Sequence, residues 1–192
     1  MTKNLIEKLI IDSSDSIRQS VSLAPHIEQA IIAITKSMQA GNKLVIFGNG
    51  GSAADAQHIA GEFLCKFLHD RKSYPAIALS TDSSTLTAIA NDFSYDQVFA
   101  RQCQALVKPG DIALGISTSG NSVNVLHGLT ASKEAGATTI ALLGNQGGQI
   151  KQHADISVIV PSSHTPHIQE SHQVIYHIIC QQVELALIDM LC

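Results

Sequence analysis

Apolar residues recur at helical spacing through the first forty positions, with Leu5, Ile6, Leu9 and Ile10 in one block and Ile27, Ile31, Ile34 and Met38 in the next. This pattern predicts two helices, broken near Pro25 and closed at Gly41. From Lys43 the period changes. Five short apolar runs, Lys43–Phe47, Pro75–Leu79, Asp111–Ile116, Thr138–Leu143 and Asp155–Val160, each end in small or turn-forming residues and read as buried strands. The stretches between them are long enough for crossover helices. The alternation therefore predicts an α/β fold, a five-stranded parallel sheet with right-handed connections and helices on both faces. A last helix is expected from about Pro166 to Leu191, carrying Ile168, Ile175, Ile178, Ile179, Val183, Leu185 and Ile188. These long apolar terminal helices exceed what one such sheet needs to cover its faces, which predicts packing between copies of the chain.

At 192 residues, 45% hydrophobic and 15% charged, the chain has the composition of one folded domain, with no linker or low-complexity tract to mark a second. A formal charge of −4 supplies no basic field for a nucleic-acid backbone or an anionic membrane surface. The cysteines Cys65, Cys103, Cys180 and Cys192 are widely separated and form no CxxC pair, so neither a thiolate zinc knuckle nor a disulfide framework is suggested, and a reducing cytoplasm fits best. Charges at Lys3, Glu7 and Lys8 interrupt any signal-peptide core. The longest uncharged stretch, Ile112 to Ser132, is too rich in Ser, Gly and Asn to span a membrane, and a soluble protein is expected.

Two strands run into small polar loops followed by helices. In the first loop, Asn49-Gly50-Gly51-Ser52, the glycines allow a sharp turn, and Ser52 is placed to cap the next helix with Asp55 completing an imperfect capping box. The loop lacks the lysine of a phosphate-binding Walker motif and the spacing of a dinucleotide fingerprint, so on its own it is equally a plain strand-to-helix turn. The second, Ser117-Thr118-Ser119-Gly120-Asn121-Ser122, sets four hydroxyls and an amide around a glycine at a helix N-terminus. Free backbone N–H groups and the helix dipole there suit a single phosphate, and the alternative is a polar turn with Ser119 or Ser122 as cap. His58 and Glu62 stand four residues apart on the helix after the first loop. Such a pair can share a metal or a proton-transfer site, or be a solvated surface pair. Near the C-terminus, Gln169, Gln173 and His177 lie at i, i+4 and i+8. Eight residues of regular helix rise about 12 Å, so for Gln169 and His177 to meet at one atom either the helix begins after Gln169 or a neighbouring subunit supplies one of them.

The segments GNGGSAADAQHIAGEF, STDSSTLTAIANDFSYDQVFARQ, GDIALGISTSGNS and IQESHQVIYHII, in that order, resemble the phosphoheptose isomerase family of sugar-isomerase (SIS) domain proteins over nearly the whole chain. The resemblance implies a single SIS domain over 1–192, with 1–42 as N-terminal helices packing on the core and in the oligomer. It also implies a cytoplasmic homotetramer with active sites between subunits. The implied reaction converts D-sedoheptulose 7-phosphate to D-glycero-D-manno-heptose 7-phosphate through an enediol, the first step toward the ADP-heptose of lipopolysaccharide cores. By the same resemblance one zinc per site is held by His58, Glu62, Gln169 and His177, and Glu62 and His177 form the acid/base pair. Substrate would be met by Asn49, Gly50, Gly51, Ser52, Glu62, Lys66, Asn91, Asp92, Ser117, Thr118, Ser119, Ser122 and Gln169. Where the family usually carries arginines, this chain has Lys66 and His167, which lack the planar fork for binding anions. The competing readings are a non-catalytic SIS-fold protein that binds the replication initiator, against which Glu62 stands, a sugar-phosphate-sensing domain of a transcription regulator, and an isomerase for another sugar phosphate.

Overall fold

The computed structural model describes residues 2–188. Helices α1 (Lys3–Gln19) and α2 (Ala24–Gln39) are joined by a short 3-10 turn, and Gly41, at φ +82°, closes the second as expected. Then follow β1 (Leu44–Gly48), α3 (Gly51–Leu64), β2 (Ala76–Ala78), α4 (Ser83–Asp92), α5 (Ala100–Leu106), β3 (Ile112–Ser117), α6 (Val123–Glu134), β4 (Thr138–Leu143), β5 (Ile156–Ile159) and α7 (Thr165–Ile188). The expected helix end at Leu191, like Cys192, falls outside the described residues.

All pairings are parallel, in the order β2-β1-β3-β4-β5. The chain steps from β1 outward to β2, then crosses back over β1 to β3 and continues the other way. Right-handed crossovers in opposite directions put their helices on opposite faces of the sheet. Accordingly α3 joins α2 and α7 on one face, over Leu44, Ile46, Ile112, Leu114, Ile140 and Leu142. On the other face α5 and α6 cover Val45, Phe47, Ala113, Ala141 and Leu143. Gly115 lies beneath α6, where a Cβ would meet Leu129 and Val125 at 3.0 Å. The carboxyl ends of β1 and β3 diverge into α3 and α6 at the reversal of strand order, the place where such sheets collect ligands.

Strand ends differ from the sequence reading by a residue or so. Lys43 and Asp111, expected as first strand residues, instead form an ion pair ahead of β1 and β3. Asp111 Oδ1 also accepts the Lys43 backbone N–H at 3.0 Å. Among the described residues no helix is long and apolar enough to cross a membrane.

Candidate active site

The turn out of β1 is set by its glycines. A Cβ on Gly48 would stand 2.8 Å from Ser52 Cβ and 2.9 Å from the Ile116 carbonyl oxygen, and Gly50 occupies the helix N-cap at φ +57°. Ser52 is therefore not the cap that its sequence position suggested. It is the second residue of α3, buried, with no capping bond, and Asp55 closes no capping box because its carboxylate turns toward Tyr176. A glycine takes the cap position because φ +57° with ψ −121° is a backbone conformation that residues with a Cβ disfavour, although a Cβ there would meet nothing within 4 Å.

Asn49 ties this loop to the second one. Its Nδ2 donates to Asn124 Oδ1 at 2.8 Å, Asn124 Nδ2 donates back at 2.9 Å, and the Tyr95 hydroxyl donates to Asn49 Oδ1 at 3.0 Å. In the second loop the Ser117 hydroxyl lies 3.0 Å from that of Ser122 and 3.5 Å from that of Ser119. Ser117 Oγ accepts the Gly120 N–H and Ser119 Oγ accepts the Asn121 N–H. Ser122 stands at the N-cap of α6 without a side-chain capping bond. The first turn of α6 thus keeps its donors and its dipole available to an anion. Thr118 is fixed from the β4–β5 side, where Asn145 Nδ2 donates to its carbonyl at 2.9 Å.

Beyond the loops, α3 and α7 face each other. His58 Nε2 is 3.0 Å from Glu62 Oε1, the His177 ring centroid is 5.1 Å from that of His58, and one ligand atom from each of the three residues lies within 4.8 Å of the others. Burial, then the neighbouring His58, holds the His177 imidazole below its ordinary range, with Glu62 pulling the other way. Phe67 stacks on His177 at 5.7 Å. The loop after α3 is pinned by Arg71 and Glu184, whose side chains are 3% and 1% exposed and bonded at 2.9 Å. Although burial opposes it, the N–H groups of Leu68, Phe67 and His69, with Arg71, hold the Glu184 carboxyl below its usual range. Lys66 rides on this loop, exposed and without an ion pair among the described residues.

Helix α7 starts at Thr165 and passes through Gln169, so the alternative in which the helix begins after Gln169 does not hold. Gln169 instead lies over the first loop, where a Cβ on Gly51 would be 2.3 Å from its Nε2. Asn91 and Asp92 are exposed at the end of α4, and Asn91 Nδ2 donates to Asp92 Oδ1 at 2.8 Å. The sequence reading missed Asn124, Tyr95, Asn145 and Tyr176. Of these only Asn124 carried a signal, being the second residue of the helix that follows the hydroxyl loop.

The sequence pattern of the SIS domain family matches residues 11–144. A phosphoheptose isomerase from Citrifermentans bemidjiense is 53% identical over 162 residues, 84% of each chain. One from Clostridium acetobutylicum is 46% identical over 185 residues, 95% of this chain and 94% of that one. The solved structure of a phosphoheptose isomerase from Francisella tularensis superposes with a TM-score of 0.89 at 34% identity, covering 96% of this chain and all of that one. Family pattern, relatives and superposed structure agree over most of the chain, and the chain belongs to the phosphoheptose isomerases of the SIS domain family.

Proposed function

We propose that this enzyme isomerises D-sedoheptulose 7-phosphate to D-glycero-D-manno-heptose 7-phosphate, with residues 1–192 acting as one SIS domain, at the first step toward ADP-heptose for lipopolysaccharide cores. The observation that carries the reading is the meeting of Glu62 and His177 across α3 and α7, with a hydroxyl-rich helix N-terminus at the carboxyl end of β3, the strand next to the one that leads into α3. Ser52, Ser117, Thr118, Ser119 and Ser122 receive the phosphate through hydroxyl and backbone donors. Asn49, Gly50, Gly51, Asn91, Asp92 and Gln169 line the path of the sugar, and Lys66 supplies positive charge from its loop. Isomerisation needs one proton moved between C1 and C2 and one between the two oxygens. Glu62 takes the carbon-bound proton and returns it to the neighbouring carbon of the enediol, and His177 serves the oxygens.

The two imidazoles and one carboxylate of His58, Glu62 and His177 form a donor set suited to zinc, as their spacing within 4.8 Å allows. Bound there, zinc would polarise the carbonyl and stabilise developing negative charge as a Lewis acid. Gln169 stays with the sugar at Gly51 and would join the ion's ligands only from a neighbouring subunit. The working form is a cytoplasmic homotetramer with active sites shared between subunits. A net charge of −4 favours a small phosphorylated substrate over a polyanion or membrane surface.

The test is turnover of sedoheptulose 7-phosphate by wild type and Glu62→Gln, each after chelation and after zinc addition. Wild type forms product, and the variant falls by about three orders of magnitude or more, as expected for the loss of an essential proton-transfer group. Absent turnover with the sugar phosphate still bound would make the protein a sensor or interaction module instead.

A further inference from the structure

Asp55 is a buried carboxylate that the proposed reaction leaves unused. It is 6% exposed, and among the described residues no lysine or arginine pairs with it. The groups that face it are Tyr176 and Gln173 from α7 and His58 from its own helix. A buried charge without a partner is costly, so such a carboxylate is expected where a positive charge arrives.

Tyr176 connects it to such a place. Its side chain is buried, with the ring edge-on to both His58 and His177. Its hydroxyl lies 3.0 Å from His58 Nδ1 and 3.5 Å from Asp55 Oδ1. The other ring nitrogen of His58, Nε2, points to Glu62 at 3.0 Å, inside the His58, Glu62 and His177 cluster. The phenol is thus a bridge between a buried carboxylate and the outward side of a candidate ligand.

A phenol carries one proton and a neutral imidazole carries one, so two arrangements satisfy these distances. Without a cation, His58 Nε2–H donates to Glu62 and the Tyr176 hydroxyl donates to Nδ1. With a cation at Nε2 that nitrogen offers its lone pair, the imidazole proton sits on Nδ1 and is donated to the phenol oxygen, and the phenol proton turns to Asp55. Protons balance: Nε2 releases one to solvent and Nδ1 takes one up, while the phenol keeps its proton and Asp55 neither gains nor loses one.

We propose that Tyr176 and Asp55 are positioning residues for the cation site, the phenol turning between His58 Nδ1 and Asp55 so as to fix the His58 tautomer that presents Nε2 to a divalent metal. The inference rests on reading His58, Glu62 and His177 as cation ligands, and it adds the outer partners that orient one of them.

The experiment titrates metal-free, full-length wild type, Tyr176→Phe and Asp55→Asn with zinc in competition with a chromophoric chelator. Both variants bind zinc about 10- to 100-fold more weakly, the effect typical of outer-shell partners, with phosphate binding unchanged and the metal-free fold retained by circular dichroism in Tyr176→Phe. Imidazole nitrogen NMR of the zinc-loaded protein supplies a signature that simple loss of packing would not give. The His58 Nδ1 proton is protected from solvent exchange in wild type and exchanges faster in Tyr176→Phe. Asp55→Asn, which keeps the phenol and its packing, reports separately if the phenylalanine variant fails to fold. Zinc affinity within about twofold of wild type in Tyr176→Phe overturns the role of Tyr176 and leaves the metal reading standing. Absence of zinc binding by wild type overturns both.

Discussion

His172 sits in the middle of α7 with no exposed surface, its Nε2 donating to the Leu143 carbonyl at 3.0 Å and its Nδ1 without a partner among the described residues. Protonating Nδ1 would set a charge in the apolar core, and burial pushes the imidazole down to about 4, only partly offset by the bond to Leu143. The folded value is depressed below the unfolded value of about 6.5, so the folded state binds fewer protons between the two. The stabilisation is fully present above pH 6.5 and is lost as pH falls toward 4, amounting to roughly 3 kcal/mol across that window. Urea unfolding of wild type from pH 7 to pH 4.5 is expected to show this loss, and His172→Gln, less stable at pH 7, to show a flatter profile. Equal slopes would assign the acid sensitivity to other groups. Nothing in the sequence separated this histidine from the others on α7. Burial is decided by which helical face meets the sheet, and spacing alone placed His172 and His177 in one cluster of three within eleven residues.

At the scale of elements, the site depends on holding the C-terminal end of α3 against α7. Arg71 does this through its guanidinium: Nη2 donates to the Glu62 carbonyl at 2.7 Å, Nη1 donates to the carbonyls of Phe63 and Cys65, and Nε donates to Glu184 on α7. These carbonyls end the helix, where its own N–H donors run out, and that of Phe63 also accepts the Tyr74 N–H at 3.0 Å. Arg71→Met leaves Glu184 buried without its cation and is expected to cost about 3–5 kcal/mol of unfolding free energy, measured with urea. A loss under about 1 kcal/mol would mean that the three backbone N–H groups on Glu184 suffice without the arginine. Elements of this kind divide sharply by how far they could be read in advance. The strands were legible because a buried parallel strand is a continuous apolar run, and Thr138–Leu143 matches residue for residue. The β2–β3 crossover was legible only as a length, because α4 buries no residue fully and so carries no strong apolar stripe. Of the site, the loops and the His58–Glu62 pair are local patterns and could be read directly. The bonds joining Asn49 to Asn124, or His58 to Tyr176, span 75 and 118 residues and are made by the strand order, which no local pattern encodes.

For the whole molecule, the surface that the fold leaves uncovered has a definite place. Helix α1 buries only Ser16, while Leu5, Ile6, Leu9, Ile10 and Ile11 are 45–62% exposed. Beside it an apolar cavity of about 440 Å³ opens between Ile17, Val21, Ile27 and Ile31 on one side and Val174 and Ile178 of α7 on the other. Exposed apolar surface of this extent on a folded chain marks an interface. It lies on the same helix that carries Gln169 and His177, so association through it would bring a second chain close to the active site. Static light scattering at micromolar concentration is therefore expected to give a mass above that of one chain, and four times it under the proposed tetramer. Replacing both Leu9 and Ile10 by Asp sets charges in the middle of the exposed stripe and should shift the protein toward monomer, because two unpaired carboxylates cannot be buried cheaply in an apolar contact. The folded core should survive, since neither side chain belongs to it. Under the proposed sharing of the site between subunits, turnover should then fall along with the mass, because such a site is dismantled when they separate. A monomeric wild type would remove the interface, and a monomeric variant with full turnover would place the complete active site within one chain.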